Sequence, residues 1–113
     1  MKKLLLVVLS FLLLVFSITQ PVYATVTASG TANQIFEANC AGCHINGSNI
    51  VRRNKNLFKK ALKRNSMDSI EAISDIVTNG KNNMPAYKDR LAPQQIHDVA
   101  AYVLQQAENN WRR

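Results

Sequence analysis

The sequence predicts an all-α protein with about four helices in one small domain. Apolar residues recur three and four positions apart in several separate segments, which is the spacing of an amphipathic helix. Clusters of Gly, Asn and Pro lie between these segments and favour loops there. No segment shows the strict alternation of apolar and polar residues that is typical of a half-buried strand. The length of 113 residues leaves room for a single domain.

The N-terminal stretch predicts a secretory signal peptide. Two lysines begin it, and a nearly unbroken apolar run follows that is short for a membrane-spanning helix. Small residues indicate cleavage after Ala24 or, alternatively, after Ala28. We therefore expect residues 1–24 to be removed and residues 25–113 to form the exported domain. An uncleaved membrane anchor is the alternative.

The first helix of the domain is predicted at residues 31–39, where Ala32 and Phe36 lie four positions apart on one face. A turn-rich stretch at residues 45–49 cannot continue a helix. A second, short helix is predicted around residues 57–62, with apolar side chains buried and lysines projecting into solvent. Its apolar residues are Leu57, Phe58, Ala61 and Leu62.

The third and fourth helices carry recognisable end signals. The third is predicted to begin near Asp68 or the serine after it, because Asp68 and Glu71 resemble a capping box. Gly80 is expected to cap its C-terminus. The fourth helix is predicted to begin at Pro93, since proline is favoured in the first helical position, and to end near Glu108.

Cys40, Cys43 and His44 form a Cys-x-x-Cys-His run directly after the first predicted helix. This run is the attachment signal of a c-type haem: each cysteine can form a thioether to one vinyl group, and the histidine can ligate the iron. Three other interpretations stay open: a plain disulfide, a thioredoxin-like redox pair and half of a zinc site. The redox pair would need a βαβ pattern around it, and the zinc site lacks ligands because His97 is the only other histidine.

Met84 is the candidate for the second axial ligand of the iron. It lies in a loop rich in Gly and Asn, and Pro85 stiffens the segment after it. A thioether is a soft, neutral ligand, and His/Met ligation raises the reduction potential of a haem. Met67 is expected to pack in the core, and His97 is expected on a solvated helix face. We therefore expect His44 and Met84 to hold the iron from opposite sides.

Residues 52–64 form the most basic segment, and no acidic residue lies between Glu37 and Asp68. The whole chain has a formal net charge of +7, and loss of the two N-terminal lysines leaves +5. Such a segment is either a solvated helix face or a surface that docks onto an acidic partner or anionic lipid. Nucleic acid is not an expected partner, because no stacking aromatic residues alternate with the basic ones.

From residue 32 to residue 111 the sequence resembles cytochrome c6, a small class I cytochrome c of cyanobacterial and algal photosynthetic membranes. The resemblance depends on Asn-Gly-Lys-x-x-Met-Pro-Ala around Met84 and on Asp-Val-Ala-Ala-Tyr-Val in the last helix. Four longer stretches also match: residues 34–44, 67–73, 77–87 and 95–104.

The resemblance implies a class I cytochrome c fold around one covalently bound haem c, and an electron carrier rather than an enzyme. It implies cytochrome f of the b6f complex as the donor and photosystem I or a terminal oxidase as the acceptor. The location would be the thylakoid lumen, the periplasm or both, with at most peripheral membrane contact. We expect a monomer whose docking surface includes Arg90, with Lys55 and Lys59 from the basic segment.

Ile76 departs from the family pattern. Typical members have a glutamine at this position near the haem, and an amide dipole beside a haem changes its reduction potential. In this respect the chain resembles the divergent, lower-potential isoforms of cytochrome c6. We therefore expect Ile76 to lower the midpoint potential, and such an isoform could have a different partner. A haem-based sensor or a peroxidase-like protein, with an exchangeable sixth ligand, is the remaining alternative.

Overall fold

The protein is represented by a computed structural model that describes residues 1–16 and 28–112. Helix α1 spans Lys2–Phe16 in the predicted signal peptide, and the apolar side chains of its N-terminal half are exposed. Among the described helices, none combines the length and apolarity that crossing a membrane requires. The predicted cleavage site after Ala24 lies outside the described residues, and the alternative after Ala28 falls at the start of the next helix.

The described part of the domain is helical and contains no strand, which confirms the predicted all-α class. The helices are α2 (Ala28–Asn39), α3 (Ala41–His44), α4 (Lys59–Arg64), α5 (Ile70–Asn79) and α6 (Pro93–Glu108). Two 3₁₀ turns lie between α3 and α4, at Ile45–Gly47 and Arg53–Lys55. Apart from the single turn of α3, four helices therefore build the domain, which is the number that the sequence predicts.

Helix α4 begins later than predicted. Phe58 is its N-cap residue, has extended backbone geometry and is 36% exposed. Ala61 and Leu62 are buried as expected. The predicted burial of Phe58 was wrong, because this residue precedes the helix and does not share its apolar face.

The start of α5 also differs in detail. Ser69 is the N-cap, and its Oγ accepts a hydrogen bond of 3.1 Å from the backbone N–H of Ala72. The predicted capping box of Asp68 and Glu71 is therefore wrong by one residue at the cap position. At the other end Gly80 is the C-cap, as predicted.

Helix α6 begins at Pro93 and ends at Glu108, as predicted. The alanine side chain at its N-cap offers no acceptor. Instead, the backbone N–H of Ala92 donates to Oε1 of Gln95 at 2.9 Å, which is one half of a capping box.

The core lies where α6 packs against both α2 and α5. Val99 and Ala100 of α6 are almost completely buried, as is Phe36 of α2. Helix α5 contributes Ile73 and Val77 from its apolar face. This packing holds both α2 and α5 against α6, and the segments that follow each of them form the site described below.

Trp111 closes the domain from the C-terminal side. Its ring packs 5.0 Å from Phe36 and 6.1 Å from Tyr102, measured between centroids. Its Nε1–H donates to the carbonyl of Leu57 at 3.1 Å. Gly47 lies so close to the indole ring that a Cβ there would overlap it. The C-terminal end therefore fixes the loop that follows His44, a role that the sequence did not predict.

Candidate haem site

A cleft of about 310 Å³ opens between the core helices and the loops after α3 and α5. Its inner wall is apolar and comes from Phe36, Leu57, Leu62, Ile73, Val77, Val99 and Val103. Polar side chains stand at its rim, including Asn49, Arg52, Lys55, Asn56, Asn65 and Asn82. Six predicted site residues line this one cleft: Cys40, Cys43, His44, Lys55, Ile76 and Met84.

The cysteine segment continues from α2 as a single helical turn. The backbone N–H of Cys40 donates to the carbonyl of Phe36 at 2.8 Å, and the N–H of His44 donates to the carbonyl of Cys40 at 2.9 Å. Residues three and four positions apart lie on the same face of a helix. Cys40, Cys43 and His44 therefore share one face, and that face lines the cleft.

The side chain of His44 has a defined tautomer. Its Nδ1 lies 3.0 Å from the carbonyl oxygen of Ser48, so Nδ1 carries the proton and Nε2 keeps its lone pair. The tight turn between them needs positive φ angles at Asn46 and Gly47. Burial lowers the pKa of His44 below its usual value of 6.5. The ring is therefore neutral at physiological pH and able to bind a metal through Nε2.

The thiol of Cys40 does not resemble the reactive thiol of a thiol–disulfide catalyst. Burial raises the pKa of Cys40 to about 11, so that thiol is protonated at neutral pH. Such a catalyst needs a lowered thiol pKa. Cys40 and Cys43 are not joined by a disulfide. In the part of the chain that the structure describes, no three His, Cys, Asp or Glu side chains are grouped to hold a metal ion.

The Met84 loop is folded tightly after α5. The N–H of Lys81 donates to the carbonyl of Met84, and the N–H of Met84 donates to the carbonyl of Lys81, both at 3.0 Å. Gly80 makes this turn with a φ of 70°. A Cβ on Gly80 would lie 2.7 Å from the carbonyl oxygen of Met84 and from the N of Ala86, so only glycine fits. Met84 itself is half-buried at the edge of the cleft.

Sequence reasoning missed the part that Tyr87 plays at this site. Tyr87 lines the cleft and is buried, and its hydroxyl donates to the carbonyl of Asn39, the residue before Cys40. The guanidinium of Arg90 lies 4.7 Å from the centre of the Tyr87 ring. The signal in the sequence was an aromatic residue just after Met-Pro, but nothing local indicated its partner.

The three predicted docking residues have different surroundings. Lys55 lines the rim of the cleft, and its Nζ donates to Oδ1 of Asn65 at 2.6 Å. Lys59 is paired with Glu108 at 2.6 Å, and both side chains are exposed. Arg90 is exposed beside Tyr87. Lys59 therefore presents a partly neutralised charge, whereas Lys55 and Arg90 lie at or near the cleft.

Met67 and His97, for which the sequence predicts core packing and a solvated helix face, lie as expected. Met67 is half-buried, packs against the core and also lines the cleft. His97 is exposed on α6. Val51 lines the cleft although it is 55% exposed.

The residues present fit a covalently attached haem. Two thiols, a neutral imidazole and a thioether meet at one cleft, and these are the groups that c-type attachment and axial ligation use. The apolar wall suits a large planar ring, and the cationic side chains of Arg52 and Lys55 stand at the rim, where they suit its carboxylates.

Comparison with known proteins also indicates a c-type cytochrome. The family model described as cytochrome C oxidase, cbb3-type, subunit III matches residues 28–103. A protein of Nostoc sp. strain PCC 7120, named cytochrome c6-like, is 63% identical over 111 residues, which are 98% of each chain. A protein of the same strain named cytochrome c6 is 49% identical over 99% of this chain and 100% of its own length.

Among solved structures, cytochrome c6C from Synechococcus sp. PCC 7002 is similar to this chain. It has 56% sequence identity and a TM-score of 0.68, and the match covers 70% of this chain and 96% of that one.

Proposed function

The chain belongs to the cytochrome c6 family, and on this basis we propose that it passes single electrons between the b6f complex and photosystem I or a terminal oxidase. As a member of that family it is a monohaem electron carrier with one covalently bound haem c, and not an enzyme. The observation that carries the proposal is the meeting of Cys40, Cys43, His44 and Met84 at one cleft.

Each of these four residues has a distinct part in the proposal. Cys40 and Cys43 would hold the haem through thioethers, and His44 and Met84 would be its axial ligands. When bound, the haem supplies an iron that is oxidised and reduced by one electron. The hydrogen bond from His44 to Ser48 keeps the imidazole oriented in both oxidation states. The apolar wall excludes water, and the tight turn at Gly80 keeps Met84 at the cleft.

The cleft also supports an effect of Ile76 on the reduction potential. Ile76 is half-buried and lines the cleft, and its side chain offers no hydrogen bond to a group bound there. The potential is therefore proposed to be lower than that of relatives with an amide at this position. The identity of 63% to a cytochrome c6-like protein is consistent with a divergent isoform whose partner differs from the usual one.

The docking surface is proposed to surround the cleft, with Lys55, Lys59 and Arg90 as its charged residues. An acidic patch on a redox partner would attract this basic surface. Four exposed apolar residues of the domain also lie between residues 45 and 58, where they could make contact once the partner has docked; they are Ile45, Ile50, Val51 and Phe58. The predicted signal peptide would place the mature protein in the thylakoid lumen or the periplasm.

Two measurements on the purified exported protein test this function. The first is the rate of electron transfer to photosystem I and to a terminal oxidase, where a carrier reduces at least one of them rapidly. The second is the methionine-to-iron charge-transfer band of the oxidised protein, which should be present and should vanish in Met84→Ala. A protein that lacks the band and binds peroxide or small gases at once would instead be a sensor or peroxidase.

A further inference from the structure

We propose that Tyr87 is a positioning residue whose hydroxyl latches the Met84 loop to the cysteine segment and so keeps Met84 in place as a ligand. The inference depends on the proposed ligation by Met84. It concerns a single hydrogen bond between two parts of the chain that are 48 residues apart.

The hydroxyl of Tyr87 joins two sides of the cleft. It donates to the carbonyl oxygen of Asn39 at 2.8 Å. Asn39 is the last residue of α2 and directly precedes Cys40. Tyr87 is only three residues beyond Met84, so the bond connects the loop of one proposed axial ligand with the segment that carries the thiols and His44.

The carbonyl of Asn39 needs this donor. In a continuous α-helix it would accept from the N–H four residues later, which belongs to Cys43. That N–H instead donates to the carbonyl of Cys40, at 3.1 Å, because α2 ends there. Tyr87 therefore supplies a partner to one of the carbonyl groups that a helix leaves unsatisfied at its C-terminus.

The residues around Tyr87 restrict the movement of its side chain. The Tyr87 side chain is buried, with 7% exposure, so water competes poorly for its hydroxyl. The backbone N–H of Tyr87 donates to the carbonyl of Val77 at 2.9 Å, which fixes the start of the side chain against α5. Arg90 covers the ring from outside. A loop movement that takes Met84 away from the cleft must therefore break the bond to Asn39.

The test uses the haem-loaded protein and an added ligand, imidazole, which binds the iron only after Met84 has left. Tyr87→Phe keeps the ring and removes the hydroxyl. Because an intramolecular hydrogen bond contributes on the order of 1 kcal/mol, the variant should bind imidazole about fivefold more tightly than the wild type. Loss of the methionine-to-iron band during the titration reports the displacement directly.

Tyr102→Phe is the matched control. Its hydroxyl donates to Oδ1 of Asn33 at 2.9 Å and joins α6 to α2 away from the Met84 loop. Imidazole affinity should be the same in this variant as in the wild type, even where urea unfolding shows that both variants have lost similar stability. The comparison separates positioning of Met84 from a general loss of stability.

Equal imidazole affinity in Tyr87→Phe and wild type would overturn the inference while the proposed ligation stands. An equal gain in Tyr102→Phe would overturn it as well, because the effect would then follow overall stability. If the wild type itself lacks the methionine-to-iron band, the ligation by Met84 is wrong and the inference falls with it. If Tyr87→Phe does not fold well enough for titration, thermal unfolding of the wild type and of Tyr102→Phe tests the inference instead. In both proteins the methionine-to-iron band should persist until the whole protein unfolds. Loss of the band at a lower temperature would contradict the inference.

Discussion

Single residues at the C-terminal end of α5 shape the edge of the cleft. Ile76 sends its side chain towards the cleft, and its carbonyl accepts a hydrogen bond of 2.8 Å from the N–H of Gly80. The side chain of Ile76 can therefore be changed without removing that backbone contact. Gly80 is the opposite case, because its lack of a side chain is what the turn requires.

Replacing Ile76 with glutamine should raise the midpoint potential. An amide N–H directed at the cofactor stabilises the additional negative charge of the reduced form. One hydrogen bond of about 1 kcal/mol corresponds to a rise of roughly 40 mV for a one-electron couple. Redox titration measures the shift, and Ile76→Leu, which keeps an apolar side chain, should leave the potential unchanged. An unaltered potential in Ile76→Gln would show that this position does not tune the haem.

Replacing Gly80 with alanine should destabilise the protein and weaken the proposed ligation by Met84. The added Cβ meets backbone atoms at 2.7 Å, and the residue keeps a positive φ, so we expect a cost of about 1–3 kcal/mol. Urea unfolding and the methionine-to-iron band measure the two effects. Gly42→Ala is the control, since nothing lies within 4 Å of a Cβ there. If both alanine variants behave alike, the close approach at Gly80 has no energetic consequence.

At the level of secondary-structure elements, the start of α5 offers two candidate N-cap residues. Both Asp68 and Ser69 are residue types favoured at an N-cap. The structure selects Ser69, which has the extended backbone of a cap and accepts from Ala72. Asp68 is exposed in the irregular segment before the helix.

Replacing Ser69 with alanine should lower the free energy of unfolding by about 1 kcal/mol, because the N–H of Ala72 loses its partner. Asp68→Ala should change it by less than half as much. Chemical denaturation of the haem-loaded protein measures both. The reverse order of the two effects would mean that Asp68 is the cap in solution.

At the level of the whole molecule, charge distribution decides how the protein meets its partners. The predicted exported domain has a net charge of +5, and its basic residues are concentrated in one stretch, residues 52–64. Within this stretch Lys59 forms an ion pair with Glu108, which links α4 to α6 and partly neutralises the charge of Lys59. The charges of Lys55 and Arg90 remain at or near the cleft, where an electron would be exchanged.

The rate of association with an acidic redox partner should fall steeply as ionic strength rises, because salt screens charges over about 10 Å at 0.1 M. Arg90→Gln should slow association at low salt, and the difference from the wild type should disappear at high salt. Arg112→Gln removes the same charge from the C-terminal tail and should have a smaller effect. Stopped-flow reduction or oxidation at several salt concentrations measures these rates, and a flat salt dependence would leave the basic segment as a solvated face.

The class of fold, the proposed haem-attachment segment and the bounds of α6 could all be predicted from the amino-acid sequence. These features depend on residues within one or two helical turns of each other. The spacing of Cys40, Cys43 and His44 places them on one face wherever a helical turn forms, and Pro93 marks a helix start without reference to the rest of the chain.

The distant residues that support the proposed site could be identified only from the folded chain. Tyr87 meets Asn39, and Trp111 meets Leu57 and Gly47, across about half the chain. The exposure of Phe58 was likewise evident only in the structure, where this residue lies before α4 in extended backbone geometry. The physical reason is that periodicity encodes which face of a helix is apolar, whereas a hydrogen bond between remote residues exists only after the helices have packed.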